Sequence, residues 1–376
     1  MNIVVAPDSF KGSLTSSQAS AIIKKAIQSL GFGDTVTTKP MADGGEGTVD
    51  ALVTASNGKR IAVTCTGPLG EKINTYYGMI DEQTAVIEIA NIAGLVQVPV
   101  ADRDPDITTT YGLGEVIKDA LDRNCTSFII GLGGSATNDA GLGLLLALGM
   151  KAWDQDGNEV GIYGRDLTKV TRISLNDVDP RIYDVTVQVA CDVENPLFGE
   201  KGASAVYGPQ KGASQKQVIQ YDTAMKHFSE LVETDQLLKF SSIAGAGAAG
   251  GLGFAFLLLG AKLLSGAKLV GEASYMEETI KQADLVITGE GQSDEQTLYG
   301  KAPGYIADLA NKYDVPAVLI SGSLAGNIDP LLEKFSGCYS IINQPLSIET
   351  CIAQAEELLY QQTKQTIHFI HKITRS

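Results

Sequence analysis

Five times along this chain a short strand-like run, apolar in most cases, breaks into a loop of glycines, acids and hydroxyl residues. The loops are residues 7–13 (PDSFKGS), 42–48 (ADGGEGT), 131–137 (GLGGSAT), 191–196 (CDVENP) and 288–294 (TGEGQSD). Strands that are apolar throughout belong to sheets covered on both faces. In open parallel sheets, ligands bind on the loops that leave the carboxyl ends of the strands. The pattern therefore predicts an α/β protein whose polar chemistry is gathered on such loops.

The order of the elements predicts how the chain is divided. Residues 3–6 form one apolar run, and Thr15 with Gln18 has capping-box spacing ahead of the stripe Ala19, Ile22, Ile23, Ala26 and Ile27. Gly31 is placed to end that helix. Residues 35–39 read as a second strand, and Val49, Leu52 and Val53 mark a second helix. Residues 61–66, 73–79 and 85–90 are then strand-like with only turns between them, which predicts an antiparallel or mixed sheet. Helix and strand resume at residues 110–123 and 127–131, and 185–190 is a further strand. A second capping box, Ser214 with Gln217, opens a helix carrying Val218, Tyr221, Met225, Phe228 and Val232. From about residue 268 strands at 285–288, 317–321 and 339–343 again alternate with helices. The expected architecture is a Rossmann-like parallel-sheet domain, discontinuous in sequence (residues 1–60 and 268–376), into which a mixed α/β domain (61–267) is inserted. The active site is expected in the interdomain cleft.

Composition removes several function classes. At 376 residues the chain can hold two apolar cores. A formal charge of −15 argues against a broad nucleic-acid footprint, so no nucleic-acid partner is expected. The five dispersed cysteines, with no CxxC pair, read as reduced thiols. The three histidines offer no zinc site. The apolar stretch 252–259 is far shorter than a membrane span of about 20 residues, and no signal-type start is present, so a cytoplasmic protein without membrane partners is expected. There is no GxxxxGK[ST], no HRD or DFG, and no GxSxG, which removes the P-loop, protein-kinase and hydrolase-elbow patterns.

The loops themselves suit phosphoryl transfer. Glycine amides at helix entries attract phosphate, and repeated carboxylates call for a divalent cation, which for magnesium means one or two carboxylates plus phosphate oxygens. Each loop alone also has a plain reading as a turn. Lys11 taken singly reads equally well as a solvated side chain, and Asp192 could merely cap a turn. Residues 245–250 fit GxGxxG, yet no clear strand precedes them, and a close-packed glycine–alanine helix entry is favoured over a nucleotide fingerprint. An NAD-linked hydroxy-acid oxidoreductase and a nucleotide-responsive binding protein without turnover are the competing readings. The first lacks a clear fingerprint opening its first helix, and the second does not account for five polar loops.

Taken in order, the strings APDSFKGSLTS (6–16), MADGGEGT (41–48), TGPLG (66–70), TTTYGLGEVI (108–117), IIGLGGSATNDAGLG (129–143), CDVENPLFGEKGA (191–203), YGPQKGA (207–213), GAGAAGGLGFA (245–255) and TGEGQSDEQTLYGKAPG (288–304) resemble the bacterial type I glycerate kinases. The resemblance implies transfer of the ATP γ-phosphate to D-glycerate with Mg²⁺, giving the 2-phosphate, with the 3-phosphate as the alternative product. Gln292 stands where that family often carries arginine, and Lys301, Lys211 and Arg103 are the candidate substitutes. Residue chemistry then assigns Asp192 to orient the substrate hydroxyl and accept its proton. Lys11 is assigned to the glycerate carboxylate or the transferring phosphoryl group. Ser9, Asp43, Gly44 and Gly45 are expected beside the substrate. Gly133, Gly134, Ser135, Gly289, Glu290 and Lys301 are expected around the nucleotide, and Asp43, Glu46 and Asp294 are the metal candidates. Monomer and homodimer both stay open.

Overall fold

Ile3, Val4, Val5 and Ala6 are each at most 3% exposed, and the neighbouring strand Leu285–Thr288 is as buried, whereas Thr35–Thr38 at the sheet edge is partly exposed. Covered on both faces, such strands pair in parallel. The structure, a computed structural model, describes residues 1–233 and 239–374. Its contacts divide the chain into two units, Met1–Asp43 with Asp50–Gly58 and Ser265–Ser376, and Gly44–Val49 with Lys59–Leu264.

The first unit is built on a five-stranded, wholly parallel sheet. Across the sheet run Thr35–Thr38, Asn2–Val5, Leu285–Thr288, Ala317–Ser321 and Gly337–Ser340. In chain order this is 2-1-3-4-5, the flavodoxin-like winding of the doubly wound family rather than the 3-2-1-4-5 order. Alternation along the strands explains the double cover. Ile3, Val5, Leu285, Ile287, Val318 and Ile320 share one core with Ile22, Ile23 and Leu359 from helices, while Val4, Val286 and Leu319, equally buried, alternate to the other face. Helix Ser16–Ser29 packs against the long C-terminal helix Ala355–Thr374. Thr15 caps it reciprocally with Gln18, as its spacing predicts, at 3.2 and 2.9 Å.

The second unit carries a six-stranded mixed sheet in the order Lys262–Leu264, Thr186–Ala190, Ser127–Gly131, Thr84–Glu88, Lys72–Met79, Lys59–Thr66. Its first four strands are parallel, and the last two run as an antiparallel hairpin against them, which is the mixed sheet expected from the run of strands without helices. A short hairpin, Lys151–Trp153 with Arg172–Ser174, has no counterpart in the sequence reading. The most apolar helix, Ala248–Leu258, buries Leu252, Phe254, Ala255 and Phe256 in this unit's core. No helix among the described residues is long and apolar enough to cross a membrane. All five cysteines are unpaired.

The segment Gly44–Val49 goes with the second unit, whereas the sequence reading carries the first domain unbroken to residue 60. A carboxylate explains the assignment. Glu88, at the end of its strand and 3% exposed, accepts from the amide of Val49 at 3.0 Å and from that of Gly47 at 3.4 Å. These amides open the helix Thr48–Ser56, where a negative charge is favourable. Glu88→Ala strips both acceptors from buried amides. It is expected to cost about 1–3 kcal/mol in urea unfolding and to speed hydrogen exchange at Gly47 and Val49 before the rest of the sheet.

Candidate active site

In the first unit, the winding reverses between Asn2–Val5 and Leu285–Thr288, and the loops leaving these neighbouring strands are residues 6–15 and 289–298. Such a switch point is where open parallel sheets hold ligands. The two loops are tied by backbone bonds, Ala6 N to Ile287 O and Asp8 N to Gly289 O, both 2.8 Å. Gly289 is required by closeness, because a Cβ there would lie 1.8 Å from the Ile320 carbonyl oxygen. The segment reaching Asp43 is tied to the same end of the sheet by Lys39 N to Val5 O (2.8 Å) and Met41 N to Pro7 O (2.9 Å).

These ties bring together a charged group that the sequence does not single out. Asp8 is 8% exposed, and the Ser9 amide donates to its Oδ1 at 2.6 Å. Burial first, then the negative charges of Asp43 and Glu290, push its carboxyl up to about 7, against the Ser9 amide and the Lys11 ammonium. A buried carboxyl poised near neutrality at a switch point has the properties of a proton acceptor. Asp8 lies in the quoted loop 7–13. The criterion applied to Asp192, an acid just past a buried strand, would have found it as well.

The neighbouring expected residues are present in the same unit. Lys11 Nζ lies 3.6 Å from Asp43 Oδ2 with its side chain 81% exposed. Ser9 is half-buried beside Asp8. Glu290 is committed to its own loop, since Ser293 and Thr297 donate hydroxyls to its Oε1 at 3.0 and 2.7 Å, and Lys301 Nζ stands 3.7 Å from its Oε2. Asp294 caps the turn Glu295–Leu298 by accepting from Gln296 N at 2.9 Å, so one of its oxygens is engaged.

The second unit holds the other expected set around the strand Ser127–Gly131. The 131–137 loop is packed more tightly than a phosphate cradle requires. The Gly133 amide is donated to Gly44 O at 3.0 Å, that of Ala136 to Ala93 O at 2.9 Å, and that of Thr137 to Ser135 Oγ at 3.1 Å. The Gly133 amide is therefore spent on holding the Gly44–Val49 segment, and a Cβ there would sit 2.4 Å from Gly45 Cα. Ser135 is buried, with its hydroxyl 2.8 Å from Thr137 Oγ1. Gly134 adopts a left-handed φ of +76° and its carbonyl accepts from Leu95 N at 2.7 Å. Asp192 and Glu46 are exposed, at the end of the strand Thr186–Ala190 and within Gly44–Val49 respectively.

Two charges in this unit are buried in a way the sequence does not indicate, Asp139, not singled out there, and Lys211, named there only as a substitute for the family arginine. Asp139 is fully buried and accepts from Thr110 N and Oγ1, Gly141 N and Gly143 N at 2.7–3.3 Å. Burial pushes its carboxyl up while these donors pull it down. Lys211, 2% exposed, donates to the Thr137 carbonyl at 2.5 Å. No periodicity marks either residue, because both lie in irregular loops. Of the three cations named as substitutes for the family arginine, Lys211 is thus buried, Lys301 faces Glu290, and Arg103 donates to the carbonyls of Leu95 and Val98 at 3.4 and 3.5 Å. The GxGxxG stretch is a packed helix entry, in line with the favoured expectation. Gly250, at φ +75°, would place a Cβ 2.1 Å from Thr137 O, and no strand precedes the stretch among the described residues.

A magnesium ion fits this donor set in kind. Besides burial, the charges of Asp43 and Glu290 raise the Asp8 pKa, and an oxygen-liganded dication would offset that repulsion. Among the described residues no three acids, histidines or cysteines cluster as a ready-made metal cage.

Comparison with known proteins gives a consistent result. The glycerate kinase family profile matches residues 3–371. A protein named glycerate kinase from Halalkalibacterium halodurans is 44% identical over 365 residues, covering 96% of each chain. A protein named glycerate 2-kinase from Escherichia coli K12 is 44% identical over 330 residues, 87% of each. A crystal structure from Salmonella typhimurium LT2, carrying glycerate kinase 2 as a provisional name, superposes with a TM-score of 0.90 over the full length of both chains at 39% identity.

Proposed function

The chain belongs to the glycerate kinase family, and from that premise we propose that it transfers the γ-phosphoryl group of ATP to the 2-hydroxyl of D-glycerate, giving 2-phosphoglycerate and ADP. The observation that carries the reading is likeness along the whole chain to proteins named for this activity, one of them a 2-kinase.

Asp8 is assigned to take the proton of the attacking hydroxyl, because a base is most effective when its pKa lies near the working pH. Lys11, an exposed cation on the adjoining loop, is assigned to the glycerate carboxylate and to the charge on the transferring phosphoryl group. Asp43 is the residue that would hold magnesium, which when bound neutralises charge on the phosphate oxygens. Asp192 is assigned to orient the glycerate hydroxyl without taking its proton, since it is exposed where Asp8 is buried. Gly134 and Ser135, with Gly289 and Lys301, are assigned to the nucleotide phosphates.

Phosphorus NMR of the product from ATP, Mg²⁺ and D-glycerate tests the activity and its position together. A phosphate on the secondary carbon is split by one proton and appears as a doublet. One on the primary carbon is split by two and appears as a triplet. The doublet is expected. A triplet makes the protein a glycerate 3-kinase, and no phosphate ester at all removes the kinase reading. Asp192→Asn is expected to lower kcat about tenfold, less than a lost base would, because it keeps a hydrogen-bond partner for the hydroxyl.

A further inference from the structure

Lysine is rarely buried without a charged partner, because desolvating an ammonium is expensive. Lys211 departs from that rule. It ends the turn Pro209–Lys211, is 2% exposed, and its hydrogen bond runs to a main-chain carbonyl, that of Thr137, at 2.5 Å. Thr137 closes the loop assigned above to the nucleotide. The next acid, Asp139, accepts from four donors of Thr110, Gly141 and Gly143 and acts on Lys211 through its charge. Other polar groups on neighbouring elements have partners of their own: Arg103 donates to the carbonyls of Leu95 and Val98. Tyr221 donates to Asp106 at 2.8 Å, and Asp104 accepts from Gln217 at 2.8 Å. A buried cation is thus placed beside the glycine loop, hydrogen-bonded to its carbonyl and facing Asp139, whose oxygens are held by other donors.

We propose that Lys211 is a positioning residue for nucleotide binding: its ammonium fixes the 131–137 loop through the Thr137 carbonyl and supplies the positive charge beneath the phosphates that the loop receives. The inference rests on assigning that loop to the nucleotide. Its energetics follow from burial. Desolvation pushes the Lys211 ammonium down to about 7, against the attraction of Asp139. In the free protein near pH 8 the side chain is therefore largely the neutral amine. A bound polyanion favours the ammonium, so nucleotide binding at that pH draws in a proton.

The test compares the wild type with Lys211→Met, which removes charge and donor, and Lys211→Gln, which keeps a neutral donor for the Thr137 carbonyl. Steady-state kinetics and calorimetry of ADP binding at pH 8, in buffers of differing ionisation enthalpy, are measured on each folded protein. Both variants are expected to raise KM for ATP tenfold or more, with KM for glycerate little changed. The wild type is expected to take up more protons per ADP than either variant. A residue that merely supported the loop would be rescued by glutamine and would show no difference in proton uptake. Wild-type KM for ATP in Lys211→Gln, equal proton uptake in all three proteins, or an effect confined to KM for glycerate overturns the proposal. A wild-type protein that neither binds ADP nor turns over ATP with glycerate overturns the kinase assignment instead, and is recognised before any variant is compared.

Discussion

Asp8→Asn lowers kcat by about two to four orders of magnitude, the range spanned by loss of a positioned base. The same substitution stabilises the nucleotide-free protein at pH 8. The two effects have one origin. The folded state holds the Asp8 carboxyl up at about 7, from an ordinary value of 3.8, chiefly by burying it beside Asp43 and Glu290. A group raised in this way contributes stability that is fully present below about pH 4 and is lost as the pH climbs through about 7. Asparagine cannot ionise and keeps that contribution. The melting temperature of Asp8→Asn should therefore exceed that of the wild type at pH 8 and converge with it towards pH 4. A buried carboxylate without a role in proton transfer would show the same convergence but no loss of turnover. If Asp8→Asn retains wild-type kcat while Asp192→Asn loses it by orders of magnitude, proton transfer belongs to Asp192.

Lys11→Met lowers kcat by about two orders of magnitude or more while leaving the unfolding midpoint unchanged. The argument for the second half is structural. The side chain is 81% exposed, and its contact with Asp43, 3.6 Å long and in solvent, is of the class that contributes about 1 kcal/mol or less. Nothing in the fold depends on it. The first half follows from the chemistry, since charge on the transferring phosphoryl group and the glycerate carboxylate must be met in a protein carrying −15 overall. An arginine restores charge without the compact ammonium, so Lys11→Arg should recover only part of the activity. Unchanged kcat in Lys11→Met would place the cation elsewhere, with Lys301 the next to vary.

The sequence reading and the structure differ where a residue's neighbours come from far along the chain. Thr15, Gln18, Ser214 and Gln217 could be read directly, because a capping box is closed within a few residues. The charge state of Asp8 could not, because it is set first by burial and then by Asp43 and by Glu290 at the other end of the chain. Gly133 looked like a phosphate donor on composition alone, yet its amide is consumed by Gly44. Lys211, named from the sequence as a candidate substitute for the family arginine, is among the most buried charged side chains of the described residues.

Local patterning sufficed for the class of each sheet, the caps of the helices and the loops where polar chemistry is gathered, because apolar periodicity and turn residues act over a few positions. The order of the strands, the switch point between Asn2–Val5 and Leu285–Thr288, and the charge state of each buried acid and lysine were decided only by the tertiary structure. Desolvation and Coulomb interaction depend on distance through space, and a linear chain does not state which of its distant segments will become neighbours.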